Sequence, residues 1–141
     1  MDNRHCTGSP PQRAKLRSTL DAKAYLWVAM GSAVGGCARF ALGSAVSTAA
    51  GSAFPWGTFL INVVGSFVIG VFASRLEDAV WRQLLMVGLC GGFTTFSSFS
   101  LETVNLLRAG HIPQALGYVG GSVLLCLAAV WAGHAAGSFL R

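Results

Sequence analysis

Four long apolar stretches alternate with short polar breaks along the chain. The first runs from about Ala24 to Ala49, the second from Trp56 to Ser74, the third from Gln83 to Leu107 and the fourth from Gln114 to Phe139. Each offers about 20 residues, enough at about 1.5 Å per residue to cross the hydrocarbon core of a bilayer. The breaks carry turn chemistry: "GSAFPWG" around Pro55, "RLEDAVWR" from Arg75 and "RAGHIPQ" from Arg108. No stretch alternates with period two for long enough to suggest a barrel. The pattern predicts an all-α membrane protein with four transmembrane helices in one small domain, residues 24–141.

One stretch breaks the pattern from within. "GGFTTFSSFS", Gly91 to Ser100, lies inside the third span. Thr94 falls about eleven residues from its start, roughly 16 Å and close to the bilayer midplane. Gly91, Gly92, Thr94 and Thr95 together lower helix propensity by roughly 3 kcal/mol relative to alanine. The helix is expected to be broken there, near the midplane. Unwound backbone at that depth needs protein or water to satisfy it, and freed carbonyls make a natural cation site. Beyond the break, Phe96 and Phe99 share a face, and Ser97, Ser98 and Ser100 add hydroxyls.

Composition supports the membrane reading. The chain is 53% hydrophobic and only 11% charged, with 18 glycines among its 141 residues. A soluble domain carries about a quarter charged residues. Arg4, Arg13, Lys15, Arg17 and Lys23 sit in the first 23 residues, which read as a disordered basic tail, either an unstructured leader without specific function or a cytoplasmic segment that touches anionic lipid. Arg75, Glu77, Asp78 and Arg82 form a second group, and Glu102 and Arg108 are read as flanking the third break. Cys6, Cys37, Cys90 and Cys126 form no CxxC pair, so no zinc or redox motif is indicated. His5, His111 and His134 are equally dispersed. No acid, nucleophile and base come together, which argues against an enzyme.

Polar and small residues fall on particular helix faces. Gly31, Gly35, Arg39 and Gly43 recur every four residues, a spacing that lets helices approach closely. Arg39 reads either as a functional intramembrane arginine or as an interfacial one that snorkels to headgroups. In the second span Thr58, Asn62 and Ser66 share a face. Asn62 serves either a wet pore or hydrogen bonding between helices. In the fourth, Tyr118, Ser122 and Cys126 form a similar stripe. Amide and hydroxyl groups donate hydrogen bonds, and aromatic ring edges carry partial positive charge. With no acid read at mid-span, these groups suit a small anion better than a proton-coupled cation.

"GGCARF", "GTFLINVVGSFVIG" and "GLCGGFTTFSSFS", in that order in a four-span chain, resemble the Fluc family of fluoride channels, also called CrcB proteins. The resemblance runs from about Ala24 to Phe139. It implies a dual-topology antiparallel homodimer, multi-pass in the bacterial inner membrane, that passively exports fluoride and interacts with no nucleic acid. It also implies a structural sodium ion at the dimer interface, held by the backbone carbonyls of Gly91 and Thr94. Matched residue by residue, Phe96 and Phe99 are the pore phenylalanines and Asn62 the pore asparagine, with Thr58 one turn before it. Tyr118 and Ser122 form the hydroxyl track, Ser98 belongs to the same ion pathway, and Arg39 stands at the pore mouth. Phe40 stands where tyrosine is common, Ser98 replaces a frequent threonine, and Cys126 stands where another hydroxyl is expected.

Two other classes compete. A small dual-topology multidrug transporter also has four spans, but its chemistry needs a glutamate in the first helix, and no acid lies between Lys23 and Leu42. A non-conducting membrane assembly protein would use the polar stripes only as packing glue.

Overall fold

The computed structural model of the protein describes residues 10–51 and 53–139, with side chains described from 22 onward. Among these residues the structure is all helical. The elements are α1 (Pro10–Ala50), α2 (Trp56–Arg75), α3 (Ala79–Trp81), a π-helical segment (Arg82–Cys90), α4 (Gly91–Phe93), α5 (Phe96–Arg108) and α6 (Ile112–Phe139). Four stretches are long and apolar enough to cross a membrane: Ala22–Ala50, Trp56–Arg75, Ala79–Arg108 and Ile112–Phe139. The protein is therefore multi-pass. Of the tail expected over residues 1–23, residues 1–9 lie outside the described residues, as do His5 and Cys6, and α1 is helical from Pro10.

Local chemistry sets the ends. Asp78 caps the third span, its Oδ1 accepting from the Val80 and Trp81 amides at 2.8 and 3.2 Å. That cap starts the helix at Ala79, earlier than the apolar pattern at Gln83 suggests. Gly51 and Gly110 take positive φ, 75° and 78°, in the turns that follow α1 and α5, a conformation that glycine adopts without steric cost.

The short connections make consecutive spans antiparallel, so the first and third run in one direction and the second and fourth in the other. Glycine marks where backbones touch. A Cβ on Gly31 would collide with the Leu84 carbonyl, and one on Gly35 with the Leu89 carbonyl, both in the π-helical segment. A Cβ on Gly70 would strike the Val130 carbonyl, and one on Gly133 the Phe67 carbonyl, joining α2 to α6. Each glycine gives up about 1 kcal/mol of helix propensity relative to alanine. Close backbone approach, which strengthens dispersion contacts between helices in lipid, explains that choice.

The unwinding is shorter than expected, and for Gly92 close approach again explains the glycine. Gly91 and Gly92 remain helical, as α4. Gly92 lies against α1, where a Cβ would come within 2.7 Å of the Ser32 carbonyl. Only Thr94 and Thr95 are extended, with φ/ψ of −80°/157° and −148°/109°.

The interior is small. Ile61, Cys90, Phe99, Ala115 and Tyr118 are the buried apolar residues described, whereas Phe40, Phe96, Leu124 and Trp131 are largely exposed. An apolar exterior of this kind suits lipid.

Glycine substitutions separate packing from propensity. Gly35→Ala and Gly133→Ala should each cost about 2 kcal/mol through overpacking. Gly36→Ala, where a Cβ meets nothing within 4 Å, should be neutral or stabilising by up to about 1 kcal/mol. The midpoint of thermal unfolding in detergent measures the contrast.

Candidate functional site

The site is organised around the extended pair. A continuing helix would direct the Thr95 N–H at the Gly91 carbonyl. Instead it donates to Asn62 Oδ1 at 2.8 Å, and Asn62 Nδ2 donates to the Thr95 carbonyl at 3.1 Å. One side-chain amide thus satisfies both backbone polar groups of Thr95. The Ser98 N–H, which helical geometry would direct at the Thr94 carbonyl, goes to Thr95 Oγ1 at 3.2 Å and caps α5. The Gly91 and Thr94 carbonyls are therefore released from their helical partners, and both residues line a cavity.

That cavity, of about 720 Å³, is also lined by Asn62, Phe96, Phe99, Ser122 and Cys126. The Phe96 and Phe99 rings lie 5.4 Å apart, centre to centre, and Phe99 lies 5.1 Å from the Tyr118 ring. Phe99 is buried, while Phe96 is 78% exposed. Ser122 is 5% exposed, and its Oγ is buried without a hydrogen-bond partner. A helical serine can return its proton to the carbonyl one turn back, as Ser100 and Ser138 do here. Ser122 does not, and its hydroxyl remains available to a guest.

A second cavity, of about 440 Å³, gathers Arg39, Ser44, Thr58, Ser98 and Glu102. Sequence reading missed Glu102. It lies within α5 rather than beside a break, and its carboxylate accepts from Thr58 Oγ1 at 2.8 Å and from the Tyr118 hydroxyl at 2.7 Å. It ties the second, third and fourth spans together. The hydroxyl protons of Thr58 and Tyr118 are directed at this carboxylate. The available signal was its position as a lone acid in an otherwise apolar helical run, where an ionisable group is a functional candidate by default.

The candidate residues thus fall into two adjoining groups. Asn62, Gly91, Thr94, Phe96, Phe99 and Ser122 share the first cavity. Thr58, Ser98 and Arg39 share the second, and Tyr118 joins both groups through Phe99 and Glu102. A chain of hydrogen-bonding and aromatic groups runs through the bundle, with no grouping of His, Cys, Asp and Glu suited to a metal among the described residues.

A family model described as CrcB-like protein, Camphor Resistance (CrcB), matches residues 26–134. The chain belongs to the CrcB family. Among relatives, it is 53% identical over 119 residues to a protein of Opitutus terrae named fluoride-specific ion channel FluC, covering 79% of this chain and 90% of that one. A protein of the same name from Methylocella silvestris is also 53% identical over 119 residues, covering 78% and 89%. A Rhodopseudomonas palustris protein named fluoride-specific ion channel FluC 1 is 49% identical over 120 residues, covering 80% and 85%. The CrcB match takes in all the residues of both cavity groups named above.

Removing the Asn62 amide strips Thr95 of two partners at once. Asn62→Ala should lower stability by about 2–4 kcal/mol. Asn62→Asp can still accept from the Thr95 N–H but directs an oxygen at the Thr95 carbonyl, and it should recover only part of the loss. Thermal unfolding in detergent of the three proteins checks the order.

Proposed function

We propose that the chain is a fluoride-specific channel that lets fluoride leave the cytoplasm passively. The observation that carries this reading is the unpartnered Ser122 hydroxyl, buried in the cavity that Asn62, Phe96 and Phe99 also line. Fluoride is a compact, strongly hydrated anion, and a site for it must replace water with hydrogen-bond donors. Ser122 offers one. Asn62 Nδ2 has a second N–H beyond the one given to Thr95. The electropositive edges of Phe96 and Phe99 supply weaker stabilisation along an otherwise apolar wall. The names of the relatives from Opitutus terrae and Methylocella silvestris support fluoride as the ion.

The working unit is an antiparallel pair of copies, placed in the bacterial inner membrane, with the Thr94–Thr95 pair near the bilayer midplane. The released carbonyls of Gly91 and Thr94 are oxygen donors of the kind a hard monovalent cation takes, and a Cβ on Gly91 would meet nothing within 4 Å. Two copies would offer four such carbonyls to a structural sodium ion on their common axis. When bound, the ion supplies a fixed positive charge between the two copies. Asn62 holds the backbone that presents these carbonyls, and Thr95 caps the helix carrying both phenylalanines.

Fluoride efflux from liposomes, followed with a fluoride electrode, tests the function. The wild-type protein should release fluoride without an imposed proton or sodium gradient. Absence of release would favour a non-conducting assembly protein, and a requirement for either gradient would indicate a coupled transporter.

Single substitutions then test the site. Phe99→Ile keeps bulk without the ring edge, and Ser122→Ala removes the free donor. Each should slow efflux by about tenfold or more, equivalent to about 1.4 kcal/mol on the barrier. Rates near wild type for both would assign these residues to packing.

A further inference from the structure

We propose that His111 is the charge-setting residue of an anion entrance that it forms with Glu102 at the end of the bundle where α5 turns into α6. The inference rests on the channel reading and names a residue that reading does not use. A third cavity, of about 440 Å³, opens at this end and is lined by Ser47, Pro55, Glu102, Asn105 and His111. Glu102 also lines the second cavity, with Arg39 and Ser98. Its carboxylate is thus a wall common to both spaces. An anion travelling from the turn toward Thr58 and Tyr118 passes it.

A carboxylate on an anion route opposes entry, and its neighbours decide by how much. From α1, Arg39 reaches only the second cavity. From α2 and α6, Thr58 and Tyr118 donate hydroxyl protons to the carboxylate. On α5 itself, Arg108 is exposed and lines neither cavity. In the third cavity His111 is the only group, among the described residues, able to become a cation.

Its ring is held in place. Nδ1 lies 2.8 Å from Gln114 Oε1. With Nδ1–H donating to that oxygen, Nε2 is the nitrogen that gains or loses a proton. Proton uptake puts a positive charge in the cavity with the carboxylate, offsets its field and raises the local concentration of anion. Entry is therefore faster with the ring protonated than with it neutral.

Fluoride efflux from liposomes carrying the full chain, at symmetric pH 8 and pH 6, tests this with the rate of protein-free liposomes subtracted. Wild-type flux at subsaturating fluoride should rise about threefold or more on acidification. The change should appear in the half-saturating fluoride concentration rather than the maximum rate, a split that a merely structural histidine would not produce. His111→Gln should flatten the profile at the slow level, and His111→Lys should keep the fast level at both pH values. A full acid rise in His111→Gln overturns the inference, and so does a Lys variant no faster than the Gln variant at pH 8. Flux that is present but unaffected by pH in all three proteins overturns it while leaving the channel reading intact. No flux from any of them, at either pH, tells against the channel reading itself.

Discussion

Backbone polar groups inside a bilayer have no water to fall back on, and this chain meets that constraint with one asparagine. Wherever a transmembrane helix stops short of its far end, the freed N–H and C=O groups each cost several kcal/mol unless something else bonds them. Asn62 takes both groups of Thr95. Thr95 in turn uses its own hydroxyl to start α5. With those debts met locally, the Gly91 and Thr94 carbonyls can be left open to the cavity. The phenylalanines and the released carbonyls take their positions from that exchange, and Ser122 lines the same cavity from α6.

Glycine does the complementary work outside the interruption. Lipid provides little hydrophobic reason for helices to associate, so contact between them depends on fit. Gly31 and Gly35 bring α1 against the π-helical segment, and Gly70 and Gly133 bring α2 against α6. Two co-directional pairs result. Polar side chains then link the pairs: Asn62 reaches Thr95, while Thr58 and Tyr118 meet at Glu102.

Much of this was legible in sequence because membranes impose simple rules. Span lengths follow from bilayer thickness, and spacing by four put Thr58, Asn62 and Ser66 on one face of α2 and Tyr118, Ser122 and Cys126 on one face of α6. Two things were harder to read. Glycine has two uses, low helix propensity and close approach, and composition does not distinguish them; Gly92 proved to be against Ser32 rather than unwound. Glu102 stands near Arg108, which resembles the polar edge of a span, and only the path of α5 shows that its carboxylate turns inward. The hydrogen-bond partners of Asn62 lie on another span, in the extended Thr95, where spacing along one helix carries no information.

The π-helical segment does more for the site than give the cavity the part of its wall formed by Met86, Val87 and Cys90. Its ladder joins residues five apart instead of four, so it turns fewer degrees per residue than the α-helices on either side. Over Arg82–Cys90 that difference accumulates like a phase lag in a screw thread. The angular setting with which the chain arrives at Gly91 is fixed there, before the extended pair is reached. A change of chain length within the segment would rotate Thr94, Phe96 and Phe99 about the helix axis as a block, each keeping its own chemistry but facing a different neighbour. The aim of the site is stored upstream, in a stretch whose side chains are ordinary.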